Sequence, residues 1–345
     1  MKKLPIKYIF ATLIVLLGLV GLFLLQNKKP AKPEAEAPKL TTVTLAPDYT
    51  PNTNHTGIYV AQKKGYYKNE GIEVKILPYS GNVSPEVLVS TKKADIGISY
   101  TEGVVSSVAA GNKVVSIAAI IAHNTSSLVA LENYGIKTPK DLDGKIYGGF
   151  GAPFENAVIS EMIKKNGGKG DFKTVLLDID GIKALETKKI DFAWIFDGWT
   201  GVQAKRQGVK LVSLSLVQYG IPDYYTPVFI SGPTQIKEKS EVLRRFIKAT
   251  AKGYNFAIKN PEESAKILID SVQKGTFDDP AFVIDSQKYL SPRYSDPGKP
   301  WGVQDEKAWT DFPKFILSTG QIKDASGSAV TTLDYKSLYT NQFIQ

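Results

Sequence analysis

At several places in this chain a short apolar segment runs into a polar, aromatic turn and then into an amphipathic stretch, and this recurrence constrains the fold most. Val43-Thr44-Leu45-Ala46 leads into Asp48-Tyr49-Thr50-Pro51-Asn52-Thr53-Asn54-His55 and then into a run beginning at Thr56. Pro51 biases Thr50 toward extended backbone, so the strand ends there. Thr53 or Asn54 is placed to cap the next helix, whose first N–H groups otherwise lack partners. The run 95–99 repeats the pattern before Tyr100-Thr101-Glu102-Gly103, and the apolar run 114–121 repeats it before His123-Asn124-Thr125-Ser126. Between them, 73–77 alternates as a strand, Gly65 suits the left-handed residue that ends a helix, and Ser84-Pro85-Glu86 opens another. Strands alternating with helices predict a mainly parallel sheet covered on both faces, whose strand exits share one edge. In α/β proteins that edge is where ligands bind. Capping alone explains the Ser, Thr and Asn at these turns, but not the accompanying Tyr and Glu.

A second unit begins near residue 142. A short strand enters the glycine-rich turn Gly148-Gly149-Phe150-Gly151, and residues 152–165 read as a helix with Glu155 in its first turn. The glycines spell neither a dinucleotide fingerprint nor a Walker loop; close approach of backbone to a small ligand is the better use. Residues 174–177 form a strand, 182–188 a short helix, and 191–196 a strand ending at Asp197-Gly198-Trp199. Trp194 within it suits either the core or the site. Residues 224–230 read as a strand leading out of this unit, and helices follow over 241–259, 261–272 and 281–289. No internal repeat is visible, and residues 331–345 are polar and aromatic with little period.

The formal net charge of +9 would suggest nucleic acid if it were concentrated on the folded part. Residues 1–40 hold seven Lys and two Glu, which leaves the other 305 residues only four charges to the positive side. With no long basic stripe, nucleic-acid binding is excluded as a reading. The chain has no cysteine, which removes disulfides, thiolate metal sites, a thiol nucleophile and a lipidated N-terminal cysteine. Its two histidines, His55 and His123, lie in no metal-binding spacing and read as hydrogen-bonding residues. Basic residues flank an apolar run from Tyr8 to Leu25, whose eighteen residues of helix just span a bilayer core. The single A-x-A, Ala35-Glu36-Ala37, lies well beyond that run, so residues 1–26 are expected to be an uncleaved signal anchor, with a cleaved signal peptide as the alternative. Residues 27–41, rich in Pro, Ala, Glu and Lys, form a tether.

Several of these segments together resemble the type II solute-binding proteins of ABC importers, specifically the group that binds thiamin-precursor pyrimidines and shares its fold with the fungal pyrimidine synthases. The segments are Pro51-Asn52-Thr53-Asn54-His55-Thr56-Gly57, Gly65-Tyr66-Tyr67, Ala94 to Tyr100, Val115 to Ile120 with His123 to Ser126, Asp191 to Trp199, Asp223 to Pro227, and Tyr289 to Tyr294. The resemblance covers roughly residues 42–345. It implies a type II periplasmic-binding-protein fold: two α/β lobes with a hinge and a central cleft. Residues 42–128 plus 228–345 would form lobe I, and 129–227 lobe II. It implies an extracytoplasmic, anchored, monomeric protein with an ABC permease as partner, no cofactor and no catalytic step. Tyr49 stands where the pyrimidine binders commonly have Trp. Ser99 and Gly103 stand where the synthases carry a cofactor-binding lysine and a substrate histidine, and the synthases' cysteine-rich motif is missing.

An aminopyrimidine offers two flat faces and a donor–acceptor edge. Aromatic rings suit the faces, carboxylates accept from the exocyclic amine, and Asn serves either edge. Tyr49 and Trp194 are the stacking candidates, with Tyr100 or Tyr225 as alternates; Asp48, Glu102, Glu155 and Asp197 are the carboxylate candidates; Asn54, His55 and Asn124 complete the hydrogen bonds, and Gly149 permits close approach. The alternative ligand is a flavin such as riboflavin, for which Gly148, Gly149 and Ala152 would provide room. A sulfonate or nitrate would want a basic, aromatic-poor site. An anchored sensor or adhesive domain, or a pyrimidine synthase using pyridoxal phosphate, are the readings from other classes.

Overall fold

The computed structural model describes residues 40–177 and 181–344. The expected anchor, and all but the end of the tether, lie outside the described residues; among those described, no helix is long and apolar enough to cross a membrane. The strands are β1 (Thr41–Ala46), β2 (Ile72–Ile76), β3 (Ile96–Ser99), β4 (Val115–Ala119), β5 (Ser126–Leu131), β6 (Ile146–Gly149), β7 (Lys173–Leu176), β8 (Phe192–Phe196), β9 (Leu211–Ser215) and β10 (Val228–Ser231). They make two five-stranded sheets, in the orders β2-β1-β3-β10-β4 and β7-β6-β8-β5-β9.

Four strands of each sheet run the same way, as expected of a mainly parallel sheet, and one runs against them. Strand β10 is antiparallel to β3 and β4, and β5 is antiparallel to β8 and β9. The reason is the path of the chain. After β4 it crosses through residues 120–125 into the second sheet, and after β9 it returns through residues 216–227. A strand entering at the edge where its neighbours exit must run against them. Val228 therefore pairs with both Ser99 and Ala119, while Ser126 pairs with Phe196. The exits of β1, β3 and β4 face those of β6 and β8, with both crossings between the two edges.

The inner strands of each sheet are buried on both faces, and the alternation of their side chains shows it. Phe192 and Trp194 of β8 pack with Tyr147, Phe154 and Met162, while Ala193 and Ile195 pack with Ile182 and Leu185 on the other side. In the first sheet, Leu45, Ile98, Ile117 and Phe229 meet Leu243 and Phe246 of the Ser240–Lys259 helix. Asn52 caps the segment after β1, in place of the expected Thr53 or Asn54. Its Oδ1 accepts from the Asn54 N–H at 2.9 Å and starts one turn, Thr53–His55, ahead of the Thr56–Lys63 helix. Thr53 instead turns inward, its hydroxyl 2.6 Å from that of Ser286. The expected strand over 224–230 begins only at Val228, because Pro227 has no N–H to give a ladder.

The Ser240–Lys259 helix crosses the Thr56–Lys63 helix at a point where neither backbone can carry a side chain. A Cβ on Gly253 would lie 2.0 Å from the Gly57 carbonyl oxygen, and one on Gly57 would lie 2.3 Å from the Tyr254 ring. Gly253→Ala is expected to force these helices apart at a cost of about 1–3 kcal/mol. A thermal melt should show this as a drop of several degrees, at roughly 2–4 °C per kcal/mol for a domain of this size. An unchanged melting temperature would contradict the contact.

Candidate functional site

Between the two sheet edges lies a cleft of about 610 Å³. One wall comes from the exits of β1 and β3: Asp48, Tyr49, Asn52, Asn54, Tyr100 and Glu102. The facing wall comes from the exits of β6 and β8: Gly149, Phe150, Phe154, Trp194 and Phe196. Ile121 and Thr125 of the first crossing and Thr226 and Pro227 of the second form its base. A larger recess of about 950 Å³ lies outside edge strand β2 and shares Tyr49 and Tyr79 with the cleft, but it gathers neither Glu102 nor any residue of the second sheet.

The aromatic rings form a chain across the cleft. Tyr100 meets Phe154 edge-on at 5.8 Å between centroids, Phe154 meets Trp194 at 6.0 Å, and Trp194 meets Phe150 at 6.3 Å. Trp194 is 8% exposed, and its indole N–H has no hydrogen-bond partner. Phe150 and Tyr49 are the exposed faces, Tyr49 leaning on Tyr79 at 5.3 Å. A planar ligand thus finds rings on both walls and an unused donor beside them.

No Lys, Arg or His lines the cleft among the described residues, whereas two acids, Asp48 and Glu102, do. Glu102 sits in the first turn of the Thr101–Ala109 helix and is 3% exposed. Burial pushes its carboxyl up to about 8, with the facing Tyr224 hydroxyl opposing the shift. The same burial, with the charges of Glu86, Glu102, Asp48 and Glu155 around it, holds the Tyr100 hydroxyl far above its ordinary range. Asp48 is fixed from behind by His55. The Asn52 N–H points at His55 Nδ1 at 3.4 Å, so the ring proton is on Nε2, which donates to Asp48 Oδ1 at 2.8 Å.

The cleft thus collects Asp48, Tyr49, Asn54, Tyr100, Glu102, Gly149 and Trp194 of the residues expected from sequence. The other five lie behind its surface, each committed to the frame. His55 is 3% exposed and orients Asp48. Glu155 accepts from the Tyr147 hydroxyl at 2.6 Å and from the N–H groups of Phe150 and Ala152, so it holds the glycine-rich turn. A Cβ on Gly149 would meet that carboxylate at 2.6 Å. Asn124 accepts from the Ser126 N–H at 2.8 Å within the first crossing. Asp197, raised to about 6 by burial, takes a hydrogen bond from Ser127 at 3.1 Å. The Tyr225 hydroxyl accepts from the Asp305 N–H at 2.7 Å, and burial raises it to about 12. Sequence reasoning missed Asn52, Tyr79, Phe150 and Phe154; Asn52, in the same turn as Asn54, and Phe150, directly after Gly148-Gly149 at a strand exit, carried a signal of the kind used for the others.

Comparison with known proteins places the chain. The model of the family described as NMT1/THI5 like matches residues 52–264, more than half of the chain. The chain belongs to that family. Among its curated relatives is the formylaminopyrimidine-binding protein of Halalkalibacterium halodurans, 27% identical over 310 residues that cover 88% of this chain and 92% of the relative. Another is a 4-amino-5-hydroxymethyl-2-methylpyrimidine phosphate synthase of Saccharomyces cerevisiae, 25% identical over 66% of this chain and 70% of its own length. Among solved structures, the aliphatic sulphonate binding protein SsuA of Escherichia coli superposes with a TM-score of 0.67 at 14% identity, covering 88% of this chain and 99% of that one. A Candida albicans protein described as having the generic periplasmic binding protein fold gives 0.62 at 15% identity, over 89% of this chain and 98% of its own. The two-sheet architecture is therefore that fold, on a member of a family that holds both binders and synthases.

The two crossings are clasped by His123, whose Nδ1 lies 2.5 Å from Asp223 and whose Nε2 lies 2.8 Å from Asp296. Both carboxylates favour the imidazolium, Asp223 most, and raise it to about 9. A raised pKa contributes stability that is complete below the unfolded value of about 6.5 and is lost as pH rises through about 9. The side chain is 59% exposed, so screening limits the clasp to about 1 kcal/mol or less. The melting-temperature gap between wild type and His123→Ala should be widest near pH 6 and close by pH 10. A gap that widens with pH would contradict the clasp.

Proposed function

We propose that this protein is the extracytoplasmic solute-binding component of an ABC importer, and that it captures a thiamin-precursor aminopyrimidine in the cleft between its lobes. The observation that carries this reading is the lining itself: rings on both walls, Asn and acid side chains between them, and no cationic side chain among the described residues. Such a lining suits a flat, neutral, hydrogen-bonding heterocycle. A sulfonate or a phosphorylated cofactor would enter beside Asp48 and find no cationic side chain among the described residues to neutralise it. The likeness to the sulphonate-binding protein therefore extends to the fold and not to the ligand.

The synthase alternative is also disfavoured by packing. Ser99 and Gly103, at the positions of the synthases' lysine and histidine, lie against buried Glu86. The Ser99 hydroxyl donates to Glu86, and a Cβ on Gly103 would stand 2.9 Å from both groups. A histidine does not fit there without rebuilding this corner. The relative matched over nearly its full length is a binding protein, which supports the same choice.

In this reading, residues 42–128 plus 228–345 and residues 129–227 close as two lobes about the crossings, burying the ligand and presenting the closed form to a permease. Residues 1–26 hold the monomer at the membrane. A flavin is the second reading, and the volume of about 610 Å³, ample for a ring system larger than one pyrimidine, is what favours it.

Calorimetric titration against formylaminopyrimidine, hydroxymethylpyrimidine, thiamin and riboflavin separates these readings. A pyrimidine should bind below about 10 μM, roughly −7 kcal/mol; tighter binding of riboflavin would select the flavin, and binding of none would overturn both. Trp194→Phe, which keeps a ring but removes the indole N–H, should weaken binding by about 1 kcal/mol with the fold intact. Unchanged affinity would remove that donor from the ligand contacts.

A further inference from the structure

We infer that Glu102 meets the ligand as a neutral carboxylic acid, pairing through two hydrogen bonds with the amidine-type edge of the heterocycle: a ring nitrogen that accepts and an adjacent exocyclic amine that donates. This rests on the aminopyrimidine reading of the cleft and specifies which group reads the ring's edge.

The argument starts from what surrounds the carboxyl. Glu102 is 3% exposed yet lies in the cleft wall, at the start of a helix whose Tyr100 neighbour also faces the cleft. Its Oε2 is buried and lacks a well-formed hydrogen bond. The Tyr224 hydroxyl from the second crossing faces it, and Asn124 from the first crossing stands beyond that hydroxyl, but Tyr224 Oη and Asn124 Nδ2 are likewise without well-formed partners. The other titratable groups gathered around Tyr100 are Glu86, Asp48 and Glu155, all carboxyls. No Lys, Arg or His lines this cleft among the described residues. A carboxylate would therefore sit dry, without a cation to offset its charge. Kept protonated, the same group offers one donor and one acceptor side by side. That pair matches the nitrogen and amine of an aminopyrimidine.

The pairing has a proton signature. Below the pH at which Glu102 ionises the acid is already neutral, and affinity is flat. Above it, binding a neutral ring must take one proton from solvent, and affinity falls by about tenfold per pH unit. Glu102→Gln presents the same donor and acceptor without a titrating proton.

The test is titration of full-length protein with hydroxymethylpyrimidine from pH 6 to pH 10, using wild type, Glu102→Gln and Glu102→Ala. Wild type should lose about tenfold per unit above roughly pH 8. Glu102→Gln should stay within about tenfold of wild type at pH 7 and show no such loss, while Glu102→Ala should bind at least about tenfold more weakly at pH 7. Any dependence shared by wild type and the Gln variant belongs to the ring or to other groups. Calorimetry of wild type alone at pH 8.5, in buffers of different ionisation enthalpy, gives a second measure that needs no variant: net uptake of protons on binding. Tight binding without proton uptake, or with a pH profile unchanged in Glu102→Gln, overturns the neutral-acid pairing and leaves the ligand reading standing. Absence of pyrimidine binding by wild type at every pH overturns the ligand reading and this assignment together.

Discussion

The structure depends on the chain passing twice between two sheets at the edge where their parallel strands end. Backbone hydrogen bonds hold the two passages to each other and to the first lobe: Ile120 N–H to the Pro227 carbonyl at 2.9 Å, Thr101 N–H to the Tyr225 carbonyl at 3.1 Å, and Ala122 N–H to the Arg293 carbonyl at 2.9 Å. A crossing at any other place on the sheets would separate the exits of β1 and β3 from those of β6 and β8. Here it sets them face to face, and the residues at those exits become the walls of one cleft. The antiparallel strands β5 and β10 follow from the same crossing. The mixed sheets and the binding site thus have a single cause.

The first turn shows how the rest of the chain fixes such an exit. Tyr254 donates to the Asn54 carbonyl at 2.7 Å, Tyr294 donates to the Thr53 carbonyl at 2.6 Å, and Ser286 meets the Thr53 hydroxyl. These partners come from elements 200 or more residues away in sequence. They fix the turn's backbone while Asn52 and His55 fix its side chains, so Asp48 and Tyr49 are presented from a braced support. A loop carrying binding residues is ordinarily the mobile part of a fold; this one is held at both levels.

Much of this was legible in the sequence, and the limits have physical causes. The strand exits could be read because apolar runs of four to six residues end at proline, glycine or capping side chains. Which polar residues at an exit face the cleft could not be read, because neighbouring side chains in a turn differ in direction and not in type. Asp48 and His55 look alike as site candidates, yet one lines the cleft and the other backs it. Glu102 and Glu155 each lie in the first turn of a helix after a strand exit, but Glu155 is consumed by Tyr147 and two N–H groups of its own turn. Helix 308–318 was hidden by Pro313 within it, and β5 by the polar residues that open it. Phe154 reads as the core residue it largely is, and only the packing shows that it links Tyr100 of one lobe to Trp194 of the other.

On the reading proposed above, the acids around Tyr100 set this chain apart from the synthases among its relatives. Glu86 is 5% exposed and is satisfied by Ser99, so this corner is filled by a carboxyl–hydroxyl pair. Gly103 leaves only enough room for that pair. Glu102, one turn after Ser99, lines the cleft, and its buried Oε2 has the Tyr224 hydroxyl facing it. Burying the Glu102 carboxyl is tolerable only if it gives up its charge or gains a donor, and among the described residues no cationic side chain lines the cleft to supply one. On the proposed reading, the cleft takes a ligand whose edge can accept a proton from one atom and donate to the neighbouring oxygen. The charge that this corner lacks does as much to select the ligand as the rings that would hold its faces.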